Sequence, residues 1–352
     1  MKKEIVNWNN WNKKSNNFKR YSKIKSNLIY GKLLDEKPDV SIMLLTYKRA
    51  YKLKDALESA LNQDYDKPYE IVVCDDSGYD KATDELMKKY CKKYNNIAYY
   101  RHEKNLGQYA NWNRACELCR TDWYCLLHDD DQLKPNYLSE LMKVVSKNSN
   151  IGLIGVYEEA NDTREGAVHK RRFLDVLIDL FIKLRHSKPV ELKLKENIKH
   201  IYVMNSTFIN KKKALDIGGL DDIYYPSSDF AFSAKMAFHY NTYFLPIKLV
   251  DKGLGDSLSL EQKICDDSIK CAYNQTFAMC KTLGYSDKKA KRKASYAAVV
   301  SEIGLRGYNN VDYGKVKEKL KMKKIYNNKL IILLINLHSK ISWGLLLFRR
   351  TK

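Results

Sequence analysis

The stretch Trp123-Tyr-Cys-Leu-Leu-His-Asp-Asp-Asp-Gln-Leu-Lys-Pro135 joins an apolar run to three consecutive carboxylates. The run from Trp123 to Leu127 is typical of a buried strand, and Leu133 and Pro135 turn the chain towards a helix. Three adjacent acids repel one another unless they share a cation, and oxygen ligands suit Mg²⁺ or Mn²⁺, ions that also bind phosphate. The stretch therefore predicts a metal-bridged diphosphate at a strand end. An acidic loop tip is the alternative.

Apolar runs and helical spacings alternate on both sides of this stretch. The predicted strands cover 40–46, 69–74, 97–100 and 123–127, and the predicted helices cover 49–63, 83–94, 109–118 and 137–145. This order predicts an α/β fold with a doubly wound, Rossmann-like and mostly parallel sheet flanked by helices. Ligands of such sheets bind beyond the carboxyl ends of the strands. Because Asp75 and Asp76 follow one strand and Asp129–Asp131 follow another, we expect both acidic groups to face one cleft.

The composition excludes some classes of protein. Of the 352 residues 44% are hydrophobic, which excludes wholesale disorder, and the mean hydropathy of −0.53 excludes a polytopic membrane protein. The first residues carry no apolar core of a secretory signal. The eight cysteines lack the spacing of a disulfide framework, and Cys116-x-x-Cys119 has no second pair that would indicate zinc. A reducing cytoplasm is the predicted compartment.

The net charge of +21 lies in the flanks of the chain. Residues 1–38 carry +7, residues 281–329 carry +10 and residues 330–352 carry +4, so residues 39–280 are neutral. A nucleic-acid enzyme more often spreads positive charge over its working domain, and we therefore predict no nucleic-acid partner. Cationic flanks suit an anionic membrane surface, with a solubilising lysine-rich coat as the alternative.

Several motifs in order resemble the family 2 glycosyltransferases. They are VSIMLLTYKRAYKLKDALESALNQ (40–63), EIVVCDDSG (70–78), NLGQYANWNRA (105–115), LLHDDDQLKPNYL (126–138), NSTFINK (205–211), IGGLD (217–221) and SSDFAF (227–232). The resemblance covers roughly residues 39–260. It implies the GT-A fold and transfer of a sugar from a nucleotide-diphosphate donor, with inversion at the anomeric carbon.

The resemblance also implies a set of donor-binding residues. They are Thr46, Tyr47, Asp75, Asp76, Asn105, Gly107 and Asn113. Asp75 would accept a hydrogen bond from the base, which a carboxylate does well with a ring N–H. Asp76 would lie near the ribose or support the loop. Gly107 is explained by a turn or by close approach to the ligand. Asn113 would contact the donor or, alternatively, bond locally on its helix.

The metal motif departs from the commonest family pattern, Asp-x-Asp-Asp. His128 occupies the place of the first aspartate and Asp130 that of the metal-binding aspartate. The resemblance therefore implies Asp130 as the main ligand of Mn²⁺ or Mg²⁺. Asp131 or Asp129 would contribute through the ribose or a second metal position. His128 could point at the donor sugar, or it could simply be packed at the strand end.

The family's general base is an acid at a helix start, and Asp229 matches it. A carboxylate within hydrogen-bond reach takes the proton of the acceptor hydroxyl, and inversion needs only this one base. Ser228 stands where relatives usually have glutamate, and an N-cap role is the alternative for Asp229. Farther on, Lys252 and Asp256 are the candidates for contact with the diphosphate, or else they are structural.

The resemblance and the charge together predict three regions. These are a basic N-terminal extension (1–38), a GT-A domain (39–280) and a basic helical tail (281–352) whose amphipathic segment 330–348 lies on the membrane, spans it or packs on the domain.

The predicted function is transfer of a sugar, with UDP as the nucleotide, to a hydroxyl of a lipid-linked or glycan acceptor. The setting would be bacterial cell-surface polysaccharide synthesis, on the inner face of the cell membrane. The alternative is a non-catalytic protein that binds nucleotide-sugars or polyanions with its basic flanks.

Overall fold

A computed structural model describes residues 8–147, 150–162, 188–198, 206–254 and 261–306, and also residues 334, 335, 337, 338 and 341. Within these ranges ten strands form one sheet. The strands are β1 (Ser26–Gly31), β2 (Val40–Thr46), β3 (Tyr69–Asp75), β4 (Ile97–His102), β5 (Trp123–His128), β6 (Asp131–Leu133), β7 (Ile151–Asp162), β8 (Val190–Glu191), β9 (Phe208–Asn210) and β10 (Asn241–Leu254).

Nine α-helices lie in the same described ranges. They are α1 (Ala50–Leu61), α2 (Lys81–Lys93), α3 (Gln108–Leu118), α4 (Tyr137–Val145), α5 (Leu194–Asn197), α6 (Lys211–Ile217), α7 (Ser228–His239), α8 (Gln262–Thr282) and α9 (Asp287–Arg306). The four predicted helices correspond to α1–α4, and their ends differ from the prediction by at most two residues.

The sheet runs in the order β1-β4-β3-β2-β5-β9-β7-β10-β6, and β8 also pairs with β10. Strands β4, β3, β2 and β5 are parallel neighbours, as are β7 and β10. This confirms the predicted α/β sheet with parallel central strands. The short strand β9 lies antiparallel between β5 and β7, and β1 and β6 are antiparallel at the edges.

Two hydrophobic layers cover the faces of the sheet. Successive residues of a strand point to opposite faces, so Ile42 and Leu44 enter one layer while Met43 and Leu45 enter the other. The first layer packs against α1, α2 and α4, and the second against α3, α6 and α7. Because β2 is buried on both faces along its whole length, its end is fixed rigidly at the carboxyl edge.

The residues before Asp39 belong partly to the folded domain. Strand β1 pairs with β4, and Trp11 is buried, with its indole N–H donating to Thr282 Oγ1 at 3.2 Å. Part of the predicted N-terminal extension is thus an edge strand, and another part packs against the end of α8. The sequence hid this because the apolar residues of Ser26–Gly31 are consecutive rather than alternating and the strand is half-exposed, as edge strands often are.

Helices α8 and α9 form a hairpin that crosses the predicted boundary at residue 280. Cys265 and Ile269 of α8 pack against Ala298 and Val299 of α9. No helix among the described residues is long and apolar enough to cross a membrane. The predicted amphipathic segment 330–348 lies almost entirely outside the described residues.

Candidate active site

Three strand ends meet at the carboxyl edge of the sheet. In the parallel register Thr46 of β2 lies opposite Asp75 of β3, and Leu45 lies opposite His128 of β5. The Asp75 carboxylate and the Asp129–Asp131 stretch therefore flank the end of β2 on its two sides. The predicted convergence of the two acidic groups at one edge agrees with this register.

The first of the three aspartates is held by donors from the end of β2 and the loop after it. Asp129 is buried and accepts hydrogen bonds from Thr46 Oγ1 at 2.8 Å and from the Tyr47 N–H at 3.4 Å. Arg49 donates to both Asp129 oxygens and to Asp130 Oδ2, the last at 3.2 Å. Burial raises the pKa of Asp129 to about 6, and the Arg49 charge opposes that rise.

Sequence reasoning missed Arg49. The signal was present, since three adjacent acids at a strand end need a cation, and Arg49 is the first arginine after the neighbouring strand. The exposed ring of Tyr47, by contrast, leaves only its backbone N–H in contact with the acids.

His128, Asp130 and Asp131 form a cluster with the donor set of a cation site. Each offers one ligand atom, and these atoms lie within 4.8 Å of one another. The Asp131 side chain is 2% exposed; its Oδ1 accepts the Gly253 N–H at 3.1 Å, but its Oδ2 has no hydrogen-bond donor among the described residues. A buried carboxylate oxygen without a donor is costly, and a cation would satisfy it. The residues present therefore fit a divalent metal.

The ionisation of this cluster reflects its burial. Burial raises the pKa of Asp131 well above its usual value, and the neighbouring Asp130 raises it further. Burial lowers the pKa of His128 to about 4, so the imidazole is neutral near pH 7. A neutral imidazole keeps a lone pair available for a metal.

Strand β10 brings a cation to the same place. Lys252 lies opposite Asp131 in the β10–β6 ladder, and its Nζ is 3.7 Å from Glu158 Oε2. Its charge lowers the pKa of Asp131 and of Asp229, against the rise that burial causes in both. The next residue is glycine because a Cβ there would lie 1.9 Å from the Asp130 carbonyl oxygen.

The predicted base stands in the first turn of α7. Ser227 takes the N-cap position, so the alternative N-cap role for Asp229 does not hold, although Asp229 Oδ1 accepts the Phe230 N–H at 2.9 Å. Burial raises the pKa of Asp229 to about 6. A carboxylate with that pKa is ionised at pH 7 yet more basic than an ordinary aspartate, as general-base catalysis requires.

The two acids after β3 are held by the chain itself. Asp75 is buried and accepts from the Ser77 N–H at 2.8 Å and from the Tyr99 hydroxyl at 2.6 Å. Asp76 accepts from the Leu106 N–H at 2.6 Å and from the Gly107 N–H at 2.9 Å. Of the two roles predicted for Asp76, the structure shows support of the loop.

That loop carries two more of the predicted donor-binding residues. Asn105 is exposed and donates to the Asp76 carbonyl at 3.2 Å. Gly107 has φ 85° and ψ 160°, a conformation available essentially to glycine alone, and a Cβ on it would meet no atom within 4 Å. The glycine is therefore required by the backbone turn that starts α3.

Asn113 hydrogen-bonds a turn that is distant in the sequence, at Leu220, rather than its own helix. Its Nδ2 donates to the Leu220 carbonyl at 2.9 Å, and its Oδ1 accepts the Leu220 N–H at 2.8 Å. Both ends of the buried amide are thus used to fix the turn that precedes α7. Direct contact of Asn113 with the donor stays a prediction, and Asp256 lies outside the described residues.

A family model and several known proteins match this chain. The model described as Glycosyl transferase family 2 matches residues 41–218, slightly more than half of the chain. An uncharacterized glycosyltransferase of Methanocaldococcus jannaschii is 29% identical over 174 residues, which are 47% of this chain and 60% of that protein. A GalNAc(5)-diNAcBac-PP-undecaprenol beta-1,3-glucosyltransferase of Campylobacter jejuni is 29% identical over 134 residues, 38% of this chain and 41% of that protein. The chain spans less than two thirds of the length of either relative.

The fold has a solved counterpart. A mannosyltransferase of Pyrobaculum calidifontis, in complex with GDP-Man and Mn²⁺, superposes with a TM-score of 0.52 at 13% identity, covering 93% of this chain and 91% of that one. The GT-A fold implied by the sequence is thereby confirmed. With the match over residues 41–218, the chain belongs to the family 2 glycosyltransferases.

Proposed function

We propose that this chain transfers a sugar from a nucleotide-diphosphate donor to an acceptor hydroxyl, with inversion and with Asp229 as the general base. The proposal rests on a cluster of acids that fits a cation and lies at the same sheet edge as Lys252. The charge of Lys252 also lowers the pKa of Asp131 and of Asp229. Diphosphate and base would then lie on the two sides of the reacting sugar.

The donor side of the mechanism follows from the strand ends. Asp75, with Thr46 and the Tyr47 backbone nearby, would accept the N–H of the base. UDP is the proposed nucleotide, and its uracil offers one such N–H. Guanine offers a similar one, so GDP is the alternative nucleotide to test. Asp130 and Asp131 would hold Mn²⁺ or Mg²⁺, which when bound neutralises charge on the leaving diphosphate. Lys252 would add a second positive charge beside it.

The acceptor side depends on Asp229. Its partly exposed carboxylate would accept the proton of the acceptor hydroxyl while the oxygen attacks the anomeric carbon. Tyr109 is buried beside it, with its hydroxyl donating to the Pro226 carbonyl at 2.6 Å. This hydrogen bond holds the start of α7 in place.

We further propose a lipid-linked or polysaccharide acceptor at an anionic membrane surface, as in bacterial cell-surface polysaccharide synthesis. The undecaprenol-linked acceptor named for the Campylobacter relative supports the lipid link. The end of α8 and the start of α9 expose five basic side chains, and each contributes about 1 kcal/mol near anionic headgroups. They are Lys281, Lys288, Lys289, Lys291 and Arg292.

Transfer is tested by the release of nucleoside diphosphate from a panel of UDP- and GDP-sugars with Mn²⁺ or Mg²⁺. Asp229→Asn should lower the rate about 10²- to 10⁴-fold. Asp35→Asn, which changes a side chain 89% exposed, is the matched control and should leave the rate unchanged. An Asp229→Asn enzyme with the wild-type rate would refute this base. A panel in which no donor binds would favour the non-catalytic alternative.

Membrane attachment is tested separately by co-sedimentation with vesicles containing phosphatidylglycerol. Glutamine at 288, 289 and 291 should weaken binding about 10²-fold, since three headgroup contacts are lost. Lys92→Gln with Lys93→Gln, on the exposed side of α2, is the control. Equal partitioning of both variants would refute the proposed surface.

A further inference from the structure

We propose that His128 is a direct metal ligand, with its Nδ1 joining Asp130 and Asp131 in a mixed nitrogen and oxygen site. The inference rests on the proposed function for the presence of the metal. It adds a residue that departs from the family pattern, and it predicts which metal the site selects.

The geometry of the side chains carries this assignment. His128 Nδ1 lies 3.7 Å from Asp131 Oδ2, the buried oxygen that has no hydrogen-bond donor among the described residues. The ligand atoms of all three residues lie within 4.8 Å of one another. Neighbouring ligands of one small divalent ion are about 3 Å apart and opposite ligands about 4.2 Å, so the 3.7 Å pair lies between these two ligand spacings.

Nothing in the described structure competes for the imidazole. Its Nε2 is also buried without a hydrogen-bond partner there, and its ring packs against Trp112 with centroids 4.9 Å apart. A structural histidine at a strand end would instead be fixed by hydrogen bonds. His102, at the end of β4, is such a case, since Ser26 contacts one ring nitrogen at 2.8 Å and Asn111 the other at 2.9 Å.

The charges explain why a neutral ligand suits position 128. Asp129, Asp130, Asp131 and Glu158 already place four carboxyl groups around this end of β5, against the cations Arg49 and Lys252. An aspartate at 128 would add a fifth acid to the cluster and raise the repulsion when the metal leaves. Histidine supplies a ligand atom without that charge.

The chemistry of the donor set then predicts selectivity. Mg²⁺ binds oxygen ligands almost exclusively, whereas transition-metal ions accept imidazole nitrogen readily. A site with one nitrogen and two carboxylates should therefore prefer Mn²⁺ over Mg²⁺ more strongly than an all-carboxylate site. Replacing His128 by aspartate, the residue of the commoner pattern, should remove that preference.

The test uses Mn²⁺ bound to the full-length protein without nucleotide. Electron spin-echo envelope modulation reports whether a nitrogen is bonded to Mn²⁺, and protein labelled with ¹⁵N-histidine identifies that nitrogen as imidazole. His128→Asp should bind Mn²⁺ without the nitrogen signal. Its preference for Mn²⁺ over Mg²⁺, measured by competition, should fall about tenfold, as for loss of a metal-supporting group. His239→Asn is the matched control, because His239 bonds the Asn12 carbonyl at 2.8 Å, away from the acids.

Each outcome decides the proposal. A ¹⁵N-sensitive signal that survives His239→Asn and disappears in His128→Asp supports it. Bound Mn²⁺ without a histidine signal overturns this inference and leaves the proposed transfer intact. Absence of Mn²⁺ binding to the wild type overturns the inference and the metal-assisted mechanism together. A histidine signal combined with an Asp229→Asn enzyme of wild-type rate would support this inference while refuting the proposed base.

Discussion

Two pairs of acids at the same sheet edge differ in how completely the chain hydrogen-bonds their carboxyl oxygens. After β3, Asp75 and Asp76 are bonded by donors of the chain on all four carboxyl oxygens. After β5, Asp130 depends on Arg49, and Asp131 leaves one buried oxygen without a donor in the described structure. The same residue type in the same topological position thus serves two purposes.

The difference shows how a cation site can be told from a structural acid. An acid that the backbone satisfies completely fixes loops and presents a preformed acceptor, as Asp76 does for the Leu106–Gly107 turn. An acid left partly unsatisfied inside the protein is stabilised only when a ligand arrives. The carboxylates at the β3 end are therefore fully hydrogen-bonded by the chain itself, and we infer that those at the β5 end are completed by a bound cation.

The largest expected effect comes from changing the β5 end. Asp130→Asn should lower the transfer rate about 10²- to 10³-fold, because charge on the leaving diphosphate loses its main anchor. Its free energy of unfolding should change by at most about 1 kcal/mol, since only the partly exposed pair with Arg49 is lost. Steady-state rates and urea unfolding of the same preparation measure both. An Asp130→Asn enzyme with the wild-type transfer rate would contradict the proposed difference between the acids after β5 and those after β3.

The same substitution at the β3 end should give the opposite pattern. Asp76→Asn leaves one of two backbone N–H groups facing an amide NH₂ instead of a carboxylate oxygen. An unsatisfied buried donor costs about 1–3 kcal/mol. Burial raises the pKa of Asp76 to about 6, so loss of its charge at pH 7.5 offsets part of that cost, and the free energy of unfolding should fall by less than that amount. Urea unfolding at pH 7.5 measures it against the exposed Asp35→Asn. An unchanged unfolding free energy would show that Asp76 is not the loop support.

Much of this comparison was accessible from the sequence. Continuous apolar runs fixed β2, β3 and β5, and the acids after them were placed correctly at one edge because parallel strands share a carboxyl edge. Support of a loop was one of two roles predicted for Asp76, and its place near the ribose stays a prediction. The loop it supports lies about thirty positions away in the chain, and local patterns do not contain such a contact.

Other parts depended on tertiary contacts alone. The role of Arg49 needs the register between β2 and β5, and that of Asn113 needs the packing of α3 against the turn before α7. Strand β1 was missed because its short sequence shows no alternation of apolar and polar residues and its pairing with β4 spans about seventy positions. Sequence patterns thus located the acids and Lys252 but not Arg49.

A third carboxylate, at a helix start rather than a strand end, extends the comparison to pH. Because burial raises the pKa of Asp229 to about 6 and the proposed base acts unprotonated, log kcat/KM should rise with pH below 6 and level off above it. The rate should fall about tenfold for each pH unit below the bend. A profile from pH 4 to 8 measures this, with Asp229→Asn as the control that loses the bend. A bend near 4, the value of an ordinary aspartate, would contradict the burial of this base.

The smallest effect concerns stability at the β5 end. The pKa of Asp131 is raised in the folded chain, so above pH 4 the unfolded chain releases its proton more readily and folding loses stability as pH rises. Asp131→Asn removes this loss and keeps an oxygen for the Gly253 N–H. With EDTA at pH 7.5 the variant should be more stable than the wild type, and the gain should vanish towards pH 4.

Saturating Mn²⁺ should reverse that order, because a metal that binds only the folded wild type adds about 2.7 kcal/mol at one hundred times its Kd. Urea unfolding of both proteins, with EDTA and with Mn²⁺, gives the four values needed. If Asp131→Asn were less stable than the wild type in EDTA, the unsatisfied oxygen would have to be bonded within the protein. The carboxyl oxygens at the β5 end would then be hydrogen-bonded by the chain as completely as those at the β3 end, and the proposed difference between the two acid pairs would be wrong.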